Sequence, residues 1–477
     1  MSISPTIFRE YDIRGRVQPG ELDETAIIAI ADAFSIFLKV RLIDKIVIGY
    51  DNRKISPVFA KLAAKVFVQA GFTVYDLGMC ITPAAYFAQY HLGAEGLMMI
   101  TASHNPDGWC GCKLGHGYST TLGPEEIKEL AFLVSKQTRI NYPIDEGHIE
   151  EVDIRPAYLA DILSKVQLPP RKEPLRVVVD AGNGAAGIYA WELFQRLGCL
   201  TFPLYCDPDD TYPHYFPNPS ELKARKRLRE MVLHRGIQAD IGMAFDGDGD
   251  RIGVIDEQGN NIWSDRLLML LARPILAEVP GSNVVFDVKC TQALPEDIAA
   301  HGGNPIMWKT GHSHIKQKLK DCQGVLAGER SGHIFIQHGG YGYDDALLAA
   351  AHLCKILATS HQPLSQLLQE YPCYQTSPEI KIPWPDEEKY QLVAKLQQYF
   401  LETYGQERVN TINGARVSFP ELHGWALIRA SSNLPELVIV LEGDTQEHLA
   451  AITKQFKQEL AKFQIPEEAW QNEATNH

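Results

Sequence analysis

Apolar residues at Ile27, Ile30, Ala31, Phe34, Phe37 and Leu38 recur at the 3.6-residue spacing of a helix laid on a sheet, and predict a helix over 22–40. Lys45-Ile46-Val47-Ile48-Gly49-Tyr50-Asp51 then reads as a strand. Beyond it the pattern gives a helix over 57–70, a strand over 72–77 and a helix over 83–91. The apolar run Gly96-Leu97-Met98-Met99-Ile100 leads into Thr101-Ala102-Ser103-His104-Asn105-Pro106. Such alternation predicts an α/β domain with a mainly parallel sheet. Ligands of these sheets sit beyond the carboxyl ends of the strands, where Ser103 falls. Pro106 turns Asn105 away from helix, so the short polar side chains before it are free to face a ligand.

A similar plan returns at Arg176-Val177-Val178-Val179-Asp180 and at Asn283-Val284-Val285-Phe286-Asp287, each an apolar strand ending in Asp. With Ile46 to Asp51 these read as three copies of one unit, against the plainer account that any parallel strand can end in Asp. The last hundred or so residues differ. They predict helices over 387–404 and 446–463, with strand-like runs around Val417, Leu427 and Val438, hence a smaller α+β domain. Charged or Pro-rich stretches at 141–156, 256–261 and 371–385 are the expected seams.

A chain of 477 residues is too long for one core and suits three or four domains. No apolar run approaches the roughly 20 residues that span a bilayer. The first residues show no export or transit pattern, so the expectation is a cytoplasmic protein without a membrane partner. Nine cysteines, an odd number without zinc-site spacing, are expected to be reduced thiols. A net charge of −14 argues against nucleic acid, so any phosphate site must be locally basic.

The densest chemistry outside Ser103 is Asp246-Gly247-Asp248-Gly249-Asp250-Arg251, three carboxylates at alternate positions on glycine-spaced backbone. Hard oxygen ligands at that density suit Mg²⁺ or Ca²⁺. An EF-hand is excluded, because Arg251 occupies the position that such a loop gives to Gly and the flanks read as strands. The alternative is a polar turn between two strands, but three unpaired carboxylates this close repel one another without a cation.

Together with Phe8-Arg9-Glu10-Tyr11-Asp12-Ile13-Arg14-Gly15 and Gly328-Glu329-Arg330-Ser331-Gly332-His333, these motifs stand in the order seen in the α-D-phosphohexomutases. The chain resembles the bacterial phosphomannomutase/phosphoglucomutase group over nearly its whole length. Lys289 in Asp-Val-Lys-Cys and Trp308-Lys309-Thr310-Gly311-His312-Ser313 add to the likeness. Taken singly, Arg14 or Lys289 reads as a solvated charge, His312 as a helix cap and Glu329 as a loop carboxylate. The order and spacing of the whole set raise them above those readings.

The resemblance implies a heart-shaped, four-domain α/β architecture: three related mixed-sheet domains, over 1–152, 153–256 and 257–370, and a C-terminal α+β domain over 371–477. It implies a phosphorylated Ser103, and Mg²⁺ held by Asp246, Asp248 and Asp250 together with that phosphoserine. A hexose 1,6-bisphosphate would be intermediate and activator of a reaction between the 1- and 6-phosphates of mannose or glucose. Arg14, His104 and Lys113 would flank the transferring group, with the general base left open among them. Tyr11, Arg251, Lys289 and His312 would line the cleft, Glu329 and Ser331 would hold the sugar hydroxyls, and His333 would support that loop. Arg429, Ser431, Ser432 and Asn433 would bind the other phosphate. The partner implied is a phosphosugar alone, to a monomer or homodimer.

Three stretches depart from the family pattern. Cys110-Gly111-Cys112-Lys113 replaces Asn-Gly-Phe-Lys, which is expected to set two thiols near Ser103. Ser432 and Asn433 replace Asn and Thr in the phosphate loop. Ser220-Glu221-Leu222-Lys223 lacks the usual Pro-Glu-Asn. The changes at Cys110 to Cys112 and at Ser432-Asn433 are the support for one alternative, a weakened phosphosugar-binding regulator; phosphoglucosamine mutase and a phosphatase or transferase are the others.

Overall fold

The computed structural model describes residues 3–136, 147–221, 225–465 and 470. Part of the seam expected at 141–156, and Leu222 and Lys223, lie outside the described residues.

Three of the four sheets share one plan. Each has a central strand, Lys45–Tyr50, Arg176–Asp180 or Asn283–Asp287, parallel to both of its neighbours. On one side lies Thr73–Met79, Leu200–Leu204 or Asn304–Trp308. On the other lies Gly96–Ile100, Ile241–Phe245 or Leu326–Gly328. That last strand is followed in each sheet by a loop and an antiparallel return: Trp109–His116, Ile252–Asp256 and Ile334–Ile336. The repeat read in the sequence is therefore a repeat of topology, and the return strands make the sheets mixed. The loops that carry Ser103, the three aspartates and Glu329 occupy the same place in the three sheets.

Alternate residues of the first sheet feed two cores, as the period of a strand requires. Ile46, Ile48, Met98 and Ile100 pack under the helices Glu24–Val40 and Ser56–Gln69. Val47, Leu97 and Met99 face the other way, into a core that continues through Val177, Val179, Met243, Val284, Phe286 and Leu326. One apolar mass thus joins three sheets. Each Leu or Phe buried there contributes about 2 kcal/mol relative to exposure.

The fourth sheet is antiparallel, with Glu436–Gly443, Gly424–Ala430 and Ala415–Phe419 at its centre and the helices Asp386–Tyr404 and Gln446–Ala461 on one face. Its other face presents Trp425, Leu427, Val438 and Val440 to Val288 of the third unit. Two of the expected seams carry regular structure. The stretch 371–385 carries the strands Gln375–Thr376 and Ile380–Pro383, both paired with Glu436–Gly443. Its prolines masked them, but an edge position tolerates Pro. The stretch 256–261 is a hairpin turn, braced by Asp256 accepting from the Gln258 and Asn260 N–H groups, and the second sheet runs on to Ile262.

Asp180, at the end of the second central strand, is buried and accepts from the Gly182 N–H and the Tyr215 hydroxyl. Burial pushes its pKa up to about 7. A folded-state value above the unfolded one gives stability that is complete below pH ~4 and lost as pH rises through 7. Asp180→Asn is therefore expected to melt higher relative to the parent at pH 8 than at pH 4.5. An equal difference at both pH values would contradict this assignment.

Candidate active site

Ser103 sits in left-handed backbone, φ 49°, unusual for a residue with a Cβ. Its surroundings over-determine that conformation. The Ser103 N–H donates to Thr101 Oγ1 at 2.8 Å and the Ala102 N–H to Asp51 Oδ2 at 3.2 Å. Arg53, nearly buried, donates to the carbonyls of Ser103 (3.0 Å), Asn105, Pro106 (3.1 Å) and Trp109 (3.3 Å). Asp51 lies 3.3 Å from Arg53 Nε. The sequence reading missed Arg53, although it stands two residues after the Asp that ends a repeated strand.

The aspartate loop meets Ser103 from the second sheet. Asp246 Oδ1 accepts from the Asp250 and Arg251 N–H groups, and Oδ2 accepts from Ser103 Oγ at 2.7 Å. A Cβ on Gly247 would stand 2.8 Å from the Ser103 carbonyl oxygen, so glycine permits this approach. Asp248 Oδ2 accepts from Thr82 Oγ1 at 2.6 Å and from Lys113 Nζ at 2.9 Å, and Lys113 also pairs with Asp250. Burial opposes the lysine charge, but Asp248 and Asp250 outweigh it and hold the Lys113 pKa above its ordinary value. Burial, reinforced by Asp250 and Asp248, raises that of Asp246 well above the carboxylate range.

The ligand oxygens of Asp246, Asp248 and Asp250 lie within 4.8 Å of one another. Asp248 Oδ1 and Asp250 Oδ1 are buried with no hydrogen-bond partner. An all-oxygen donor set with orphaned oxygens fits a hard dication. Asp250, His333 and Asp344 form a second, overlapping group.

Cys110 and Cys112 do not stand beside the serine. On the strand Trp109–His116 they alternate with Gly111 and Lys113, and they enter the apolar core with Ile46 and Ile100. Burial pushes the Cys110 thiol up to about 11 and raises that of Cys112 as well, so both are inert. All nine cysteines are free thiols.

Arg251 fixes two histidines at once. It donates from Nε to His333 Nε2 at 2.9 Å and lies 3.4 Å, through Nη1, from His104 Nε2. Arginine can only donate, so both Nε2 atoms accept and a neutral ring carries its proton on Nδ1. Burial, then Arg251 and Arg14, push the His104 pKa well below its ordinary value, which keeps that ring neutral. Its Nδ1 then donates to Ser103 Oγ, 3.1 Å away. His333 Nδ1 stands 3.0 Å from Asp344.

The remaining predicted residues face the same cleft, about 870 Å³ with open solvent included. Asp12 joins Arg14 (3.3 Å) to His312 (3.3 Å), and Arg14 also donates to the Thr101 carbonyl. Tyr11 packs edge-on to His312, and Gly311, φ 131°, has no room for a Cβ beneath that ring. Glu329 accepts from the Gly311 N–H and from Ser331 Oγ, each at 2.9 Å. Lys289 pairs with Glu379 at 2.6 Å. Arg429 donates to Asn413 Oδ1 at 2.8 Å and to Ser432 Oγ at 3.3 Å, beside Ser431 and Asn433. Of the predicted residues only Asp246 and Asp248 do not line the cleft. Besides Arg53, the sequence reading missed Asp12, Thr82, Asp344, Glu379 and Asn413, all of which act by holding another site residue.

A hydroxyl set against buried carboxylates, in a cleft ringed by arginine and lysine and built from three copies of one α/β unit plus an antiparallel one, defines an enzyme of phosphoryl transfer. Models described as phosphoglucomutase/phosphomannomutase α/β/α domains I, II and III match residues 5–140, 156–259 and 263–374, and the C-terminal domain model matches 379–459. Phosphomannomutase/phosphoglucomutase of Pseudomonas putida is 39% identical, over 97% of each chain, and that of Pseudomonas aeruginosa is 38% identical, over 96% of each. A solved phosphoglucomutase/phosphomannomutase family protein from Burkholderia thailandensis superposes with a TM-score of 0.87 at 34% identity, over 97% of this chain and 98% of the other. The chain belongs to the phosphoglucomutase/phosphomannomutase family. Among the described residues, no helix is long and apolar enough to cross a membrane.

Proposed function

We propose that the protein interconverts the 1- and 6-phosphates of mannose or glucose, with Ser103 as the phosphoryl carrier. The observation that carries this reading is Ser103 Oγ at 2.7 Å from Asp246, within one cleft whose wall also holds Arg429 and the 431–433 loop. Phosphoserine gives its phosphoryl group to the free hydroxyl of a hexose phosphate: the P–Oγ bond breaks as a P–O bond to the sugar forms, the sugar hydroxyl gives up its proton and Ser103 Oγ takes one up. The bisphosphorylated sugar turns over in the cleft and returns its other phosphate to Ser103.

Asp246, Asp248 and Asp250, with Ser103, would hold Mg²⁺, which when bound supplies positive charge to the phosphoryl oxygens. The chain's own residues do the rest. His104 Nδ1 orients the serine oxygen without adding charge, and Arg14 sets a guanidinium beside the same loop. Lys113 acts as a fixed cation that keeps Asp248 and Asp250 ionised; a lysine held so far toward its charged form is a poor proton acceptor. Glu329, clamped by Gly311 and Ser331, offers the sugar hydroxyls an acceptor beside a hydroxyl, which serves either orientation. Arg429 and the loop after it take the phosphate that does not react.

The regulatory reading is not favoured: the part of its support that rested on Cys110 and Cys112 falls away, because both thiols point into a core. Mannose, glucose and glucosamine 1-phosphates, each with Mg²⁺ and a trace of hexose 1,6-bisphosphate and followed by phosphorus NMR, test the proposal. Mannose and glucose 1-phosphates are expected to convert without release of inorganic phosphate. Phosphate appearing in step with turnover would make the protein a phosphatase.

A further inference from the structure

The phosphate loop between the strands Gly424–Ala430 and Glu436–Gly443 has Ser432 and Asn433 where the family form has Asn and Thr, so the family's own side chains do not hold its shape here. Beneath it lies Lys389, from the helix Asp386–Tyr404, only 1% exposed. Its ammonium donates to the Ser431 carbonyl at 2.6 Å, the Leu434 carbonyl at 2.8 Å and Asp386 Oδ1 at 2.6 Å, which uses all three of its N–H bonds. The other Asp386 oxygen accepts from Arg9 Nη1 at 2.9 Å.

The carbonyl and the next N–H of a trans peptide point in opposite directions. Drawing the Ser431 carbonyl down to Lys389 therefore turns the Ser432 N–H away from it. Leu434 is followed by Pro435, which has no N–H to misdirect. Neither the Ser432 nor the Asn433 N–H donates to a backbone acceptor among the described residues, although both residues line the cleft. Backbone donors presented in this way bind an anion whatever the side chains are.

We propose that Lys389 is a positioning residue for the non-transferring phosphate, holding the loop by its two carbonyls. Arg9, through Asp386, ties the loop to the segment that carries Tyr11 and Arg14. The proposal rests on reading 429–433 as the phosphate loop.

The test is full-length enzyme with Mg²⁺ and glucose 1-phosphate, comparing Lys389→Met, Lys389→Arg, Asp386→Ala and Arg429→Ala. Lys389→Met is expected to raise KM about tenfold, the size of a lost hydrogen bond to a charged group. Its kcat should stay within about threefold, and Lys389→Arg should recover part of the loss. Calorimetry of glucose 1-phosphate binding in a Ser103→Ala background should give the same ratio as KM. A merely structural role would lower the melting temperature and kcat and leave KM alone, which would overturn the proposal. If Arg429→Ala raises KM and Lys389→Met does not, the proposal falls and the phosphate-loop reading stands. If Arg429→Ala leaves KM unchanged, that reading itself fails. Should Lys389→Met not fold, Asp386→Ala, at a side chain about one third exposed, decides: an unchanged KM there overturns the proposal.

Discussion

Ser103→Ala is expected to lower interconversion of hexose 1- and 6-phosphates by at least ~10⁴-fold, while the Kd for glucose 1-phosphate stays within about threefold. Ser103 is the hydroxyl that meets the aspartates, and the hydroxyl of Thr101 accepts from the Ser103 N–H. Ser331 and Ser432 belong to other units and already serve Glu329 and Arg429. The affinity is expected to persist because the groups proposed to hold the sugar and the far phosphate come from the third and fourth sheets. Coupled kinetics and calorimetry on one preparation check both halves. Turnover surviving in the variant would end the carrier reading.

Lys113→Met should produce the second large effect, and it should depend on metal. Lys113 is the ammonium that pairs with both Asp248 and Asp250, and the two carboxylates are fully buried. Removing one partner of such a group costs about 3–5 kcal/mol. Lys113 competes with a cation for these oxygens, so a dication at a hundred times its Kd for the variant returns about 2.7 kcal/mol there and less to the parent. The variant is therefore expected to melt well below the parent in EDTA and to regain most of the difference in excess Mg²⁺, with kcat still reduced ~10²-fold. Thermal melts of both proteins in the two buffers decide the matter. A variant that Mg²⁺ stabilises no more than the parent would mean that the three aspartates do not hold the ion.

The site was legible wherever its chemistry lies in one contiguous string. Ser103-His104 and Asp246 to Arg251 each put their functional atoms on a single loop, and strand periodicity located both loops. Arg53 was hidden because it acts on carbonyls about fifty residues further on, and a backbone acceptor leaves no mark in the side-chain pattern. Asp344 was hidden likewise, since its partners His333 and Lys316 are set by packing. The misplaced thiols were avoidable. Period two along Trp109–His116, with Lys113 turned to the aspartates, sends Cys110 and Cys112 to the opposite face. The strand Ile380–Pro383 shows the converse case: its alternation of buried and exposed positions was present, but the surrounding prolines spoke louder.

The equivalent placement of the three loops governs how such a molecule can change. Each loop is pinned at both ends by a parallel strand and its antiparallel return, so its length and residues can vary while the sheet behind it stays as it is. In the proposed reaction, carrying, charge balance and sugar recognition thereby sit on three loops of a common frame. Arg251 links them, since a substitution there reaches His104 and His333 on the other two loops. A shift in the register of one return strand would move every group on that loop together and misalign it with the other two.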